Sequence, residues 1–104
     1  MISRTSPVAV YENGKLILIG RVQEVYETCF YMTGAALNHA TGVYIPIYNT
    51  SVGTDADYQV LDVDRFSRLI CGIARLNGHI FAHAVFHSLK VQGDPLTKTE
   101  VATC

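Results

Sequence analysis

Val8-Ala9-Val10-Tyr11-Glu12-Asn13-Gly14-Lys15-Leu16-Ile17-Leu18-Ile19 is the stretch that decides how this chain folds. Two β-prone apolar runs flank Asn13-Gly14. A type I′ turn needs positive φ at both central residues, and Asn-Gly supplies it at the lowest steric cost, so the stretch predicts a tight β-hairpin. The second run carries on past Gly20 to Val25. The hairpin is therefore expected over 7–25, with Gly20 marking a bulge or bend.

A second hairpin is expected over 28–48. Cys29-Phe30-Tyr31-Met32 opens it, Asn38-His39-Ala40-Thr41-Gly42 has turn chemistry, and Val43-Tyr44-Ile45-Pro46-Ile47-Tyr48 returns. Pro46 has no N–H to give a ladder, so this strand should be an edge or be bulged there. A short helix over 34–40 is the competing reading. Residues 49–58 are the longest polar stretch and read as an exposed loop, with a brief strand at 59–61.

Asp62 or Asp64 is placed to cap a helix over 64–77. Phe66, Leu69, Ile70, Ile73 and Leu76 fall at three- and four-residue spacing, one apolar stripe, and Asn77-Gly78 closes it. The expected class is α+β: a small antiparallel sheet packed with one main helix and a final strand over 79–90. The first four strands could curl into an SH3-like half barrel, an analogy that by itself carries no function. At 104 residues the chain reads as a single domain, with 1–6 and 94–104 as flexible tails.

The last strand bears the one dense cluster of chemistry. His79, His83 and His87 recur every fourth residue in an apolar run. On a helix, four residues rise about 6 Å and neighbouring histidines could share a zinc ion. On a strand, four residues rise about 13 Å and they could not. Phe, Val and Ile fill the run and no helix start signal precedes it, so a strand is the expected state. Ile80 and Ala84 stand where the helical zinc-protease motif needs its Glu, so that chemistry is contradicted. A metal reading would enlist His39, Asp55 or Asp57 beside the histidines. The bland reading is a half-exposed face, a solvated loop and a helix cap.

The chain shows no nucleophile elbow and no glycine-rich phosphate loop, so no enzyme is expected and no cofactor. A net charge of −1 disfavours nucleic acid and anionic membrane as partners. No run approaches the ~18 apolar residues of a membrane span, and Met1–Pro7 lacks a signal-peptide core. Three cysteines without C-x-x-C suit a reducing compartment, hence the cytoplasm, with Cys29 and Cys71 as buried inert thiols.

Hydrophobic residues make up 49% of the chain and charged residues 16%, against about 25% in an average domain. A small domain has little interior, so the excess calls for burial against another chain. The expected function is a non-catalytic protein-binding, regulatory or inhibitory module, of the compact accessory type that mobile elements encode. It would bind another protein or itself, as a dimer, with a Tyr44–Pro46–Tyr48 face and the His79, His83, His87 face as docking surfaces. The alternatives are a small metal-dependent enzyme or sensor, and a small-ligand module with a pocket lined by Tyr31, Tyr44, Phe66 and Phe81.

Overall fold

A computed structural model describes residues 2–73 together with 75 and 76. The expected strand over 79–90, its three histidines, the Asn77-Gly78 helix stop and the tail 94–104 lie outside the described residues. Five strands, β1 (Pro7–Glu12), β2 (Lys15–Val25), β3 (Cys29–Asn38), β4 (Val43–Gly53) and β5 (Asp57–Val60), make one antiparallel sheet in the order β4-β3-β2-β1-β5. The helix α1 follows, helical over 63–73 and at 75–76. This is the expected α+β architecture: a four-strand meander whose fifth strand returns beside the first.

The first hairpin forms as its Asn-Gly dipeptide dictates, with φ of 53° at Asn13 and 77° at Gly14. Gly20 is not a bulge. It pairs in register with Val8 on one side and Gly34 on the other. The extra residues of β2 are Ile17, opposite the Val10/Tyr11 step, and Gln23, opposite the Met32/Tyr31 step. What Gly20 and Gly34 supply is room. A Cβ on Gly20 would lie 2.1 Å from the Thr33 carbonyl oxygen, and one on Gly34 would lie 2.0 Å from that of Ile19.

The alternative helix over 34–40 is overturned, because Gly34 to Asn38 continue β3. The expected loop over 49–58 is overturned too. β4 runs on through Asn49-Thr50-Ser51 to Gly53, and only Thr54-Asp55-Ala56 turn before β5. A bulge conceals the continuity: Thr33 alone faces Tyr48 and Asn49, and Asn49 takes φ of 50°. Asn is among the few non-glycine residues that tolerate that conformation. The buried Thr33 joins both irregularities. Its hydroxyl donates to Gln23 Oε1 at 2.6 Å and accepts from the Asn49 N–H at 3.0 Å.

The sheet is apolar on both faces. One face gathers Val8, Val10, Val22, Phe30, Met32 and Val52, with Tyr58 against them. In a flat sheet β3 and β5 would stand three strand spacings apart, roughly 14 Å. The rings of Phe30 and Tyr58 instead meet edge to face with centroids 5.2 Å apart. The sheet must curl to bring them there. The other face, Ala9, Ile19 and Ala35, is covered by Leu61 and by Phe66, Ile70 and Ile73 of α1. The small side chains of Ala9 and Ala35 let the helix lie close. Leu76, expected in that stripe, is 77% exposed.

Buried Arg21 ties three segments together. Its guanidinium lies over the Phe66 ring, 5.3 Å from the centroid, and donates to the Thr5 carbonyl. The N-terminal residues are further held to β2 by Thr5 N–H to Val22 O at 2.8 Å and Val22 N–H to Ser6 O at 3.0 Å. Cys71, on α1, is disulfide-bonded, whereas Cys29 is a free thiol. The expectation of an inert Cys71 thiol is corrected, and with it goes the cysteine argument for a reducing compartment.

Asp62, not Asp64, caps the helix: its Oδ1 accepts the Arg65 N–H at 2.7 Å. Asp62→Ala should therefore cost about 1 kcal/mol in denaturant unfolding. Asp64→Ala, within the first turn, should stay within about 0.5 kcal/mol. The reverse ranking would contradict this capping assignment.

Candidate binding surfaces

The structure separates the residues that the sequence grouped. Tyr44 is turned onto the helix-side core, and its hydroxyl donates to the Leu16 carbonyl at 2.7 Å. Pro46, two residues on and opposite Ala35, shares that face by alternation. Tyr48 sits in the bulge and is exposed. Tyr44, Pro46 and Tyr48 thus present no common outward surface. The open side chains near the start of β4 are instead Val43 and Ile45.

His39 is exposed in the β3–β4 connection, while Asp55 and Asp57 are exposed beyond the far end of β4. The eleven residues of that strand put roughly 30 Å of backbone between them, so these groups do not assemble. Among the described residues no group of three or more His, Cys, Asp or Glu is placed to hold a metal. No helix among them is long and apolar enough to cross a membrane. Of the four residues expected to line a small-ligand pocket, Phe66 is fully buried and Tyr44 packs near it, Tyr31 lies elsewhere on the sheet, and Phe81 is outside the described residues.

Two surfaces emerge from the register. The first is an apolar row with one residue from each strand: Tyr58, Val10, Leu18, Ala36 and Ile45 are successive cross-strand partners. Its inner end is closed, with Val10 buried. It opens outward through half-buried Leu18 and Ala36 to Ile45, which is 47% exposed, with Val43 beside it on β4. Among the described residues β4 pairs on one side only, with β3.

The second is an open concavity of about 480 Å³ lined by Glu24, Tyr26, Cys29, Tyr31 and Asn49. The β2–β3 connection builds it. Tyr26 N–H donates to Cys29 O at 2.8 Å, closing the turn, and the bulge at Gln23 brings Glu24 directly opposite Tyr31. The Tyr26 and Tyr31 rings stand 81° apart with centroids separated by 5.7 Å. The sequence held a signal for this site, a Tyr on either side of a short turn. Only the bulged register, however, puts Glu24 beside them.

Comparison with protein-family models, with characterised proteins and with solved structures finds no match to this chain.

Burial pushes the Tyr44 phenol above its ordinary value of 10.0, and the nearby Tyr11 adds to the shift. A folded-state pKa above the unfolded one means stability that is fully present below pH ~10 and lost as pH rises through the folded value. Tyr44 should ionise late in an ultraviolet tyrosine titration. Tyr44→Phe should cost about 1 kcal/mol at neutral pH, through the lost bond to Leu16, and should flatten the alkaline loss of stability. An unchanged alkaline limb in the variant would contradict that assignment.

Proposed function

We propose that this chain is a non-catalytic module that works by docking onto protein, and that its first partner is a second copy of itself. The observation that carries the reading is the apolar row that runs out through Leu18 and Ala36 to Ile45 and Val43. Side chains of this kind left open on a small domain mark an interaction surface.

Charge argues for a second copy as the occupant. β4 contains no Asp, Glu, Lys or Arg over Val43–Gly53, so two copies can meet there without like-charge repulsion. Natural sheets shield their edges with charges, prolines and bulges. Here Pro46 and the Tyr48–Asn49 bulge interrupt the edge, but no charge does. The interruption disfavours one continuous ladder between copies. It leaves packing of the Val43 and Ile45 side chains as the contact, a two-fold arrangement in which each row covers the other. A regulatory or inhibitory role follows naturally for such a module, which acts by occupying a surface.

Light scattering on the full chain should give the mass of two copies at micromolar concentration, falling to one on dilution. Ile45→Glu should give one copy throughout, with the unfolding midpoint nearly unchanged. A wild-type protein that stays monomeric would contradict the proposal. So would an Ile45→Glu variant that loses stability without changing mass, which would mean that the chain covers this row itself.

A further inference from the structure

The concavity at the β2–β3 turn lies apart from the β4 row and has a chemistry of its own. Tyr26 is 56% exposed and Tyr31 half-buried, and both line the same space. Standing 81° apart, the rings form two walls of a corner. Aromatic faces carry the negative end of the ring quadrupole. Glu24 adds a carboxylate beside Tyr31, since residues directly opposite on one face have Cβ atoms about 5 Å apart. Among the described residues no Lys, Arg or His lines the space. Every electrostatic feature of this corner favours a cation.

The kind of cation follows from the solvation. A primary ammonium is compact and strongly hydrated, and an open site cannot replace its water. An alkylated ammonium spreads its charge over methyl groups, is weakly hydrated, and offers those methyls to the rings. We infer that the corner formed by Tyr26, Tyr31 and Glu24 is a binding site for an alkylated ammonium group. With two walls and an open side the affinity is in the millimolar range.

The test is a titration of the full chain by two-dimensional NMR. Three probes carry the same shape: the trimethyl-lysine side chain as its blocked amino acid, glycerophosphocholine, and 3,3-dimethylbutanol as a neutral isostere. Both ammonium probes should saturate shifts at Tyr26, Tyr31 and Glu24. The neutral isostere should bind more weakly by about 3-fold or more, the ratio expected of an exposed cation–π contact. Glu24→Gln should weaken the ammonium probes by a similar factor and leave the isostere unchanged. Tyr26→Leu, at an exposed position where folding is not at risk, should narrow the difference between charged and neutral probes, and its combination with Glu24→Gln should abolish most of it. If the lysine probe binds more tightly the natural source is a protein side chain; if the phosphocholine probe does, a lipid headgroup; either supports the site. Equal binding of the isostere would overturn the inference, as would the absence of shifts at these residues at 50-fold higher probe than the expected ~1 mM dissociation range for weak exposed contacts. Neither result bears on self-association through Ile45.

Discussion

At Gly20 and Gly34 the backbones of β2 and β3 lie against each other with no space for a side chain, and the rest of the molecule is arranged around that approach. A Cβ at either position would fall within about 2.1 Å of a carbonyl oxygen of the facing strand. The irregularities of the sheet cluster around it. Gln23 bulges from β2, Tyr48 and Asn49 bulge from β4, and the Thr33 hydroxyl, next in sequence to Gly34, bonds to both Gln23 and Asn49. Bulges increase local twist and bend a strand. Flanking a glycine pair, they turn a five-strand sheet into a curl tight enough for Phe30 to reach Tyr58.

The curl explains how so apolar a chain arranges itself. In a flat five-strand sheet, one helix would cover a single face and leave the other wet. Bending lets the concave face close on its own side chains around Val8, Val22, Phe30 and Met32, while α1 covers the convex face through Phe66, Ile70 and Ile73. Two surfaces escape this closure, and both are consequences of it. The row ending at Ile45 runs out where the curl opens toward β4. The Tyr26–Tyr31 corner stands at the β2–β3 turn, on the register set by the Gln23 bulge.

Much of this was legible in the residues. Asn13-Gly14 gave the hairpin, and the periodicity from Phe66 to Ile73 gave the helix and its buried side. Asp62 was one of two named caps. What escaped was governed by bulges. Asn49-Thr50-Ser51 looks like a loop because polarity dominates a reading by hydropathy, yet these residues hold the ladder to Met32, Tyr31 and their neighbours on β3. The expected docking face of Tyr44, Pro46 and Tyr48 does not form, because Tyr44 turns onto the helix-side core. Tyr44 wins the inward place because its ring packs on the core while its hydroxyl finds the Leu16 carbonyl, an option isoleucine lacks. The Tyr26–Tyr31–Glu24 corner depends on a one-residue slip that hydrophobic alternation does not encode. The disulfide on Cys71 was missed because spacing alone gave no pairing.

The central claim is that the Gly20–Gly34 approach sets the curl, and a double-mutant cycle tests it directly. Unfolding free energies would be measured for Gly20→Ala, Gly34→Ala and the pair. Each single change should cost about 3 kcal/mol or more, at the upper end of overpacking penalties, because backbone rather than a flexible side chain must give way. The pair should cost less than the sum by at least about 1 kcal/mol, since one separation of the strands relieves both clashes. Two tolerated substitutions, each under about 1 kcal/mol, or strictly additive losses would contradict the account.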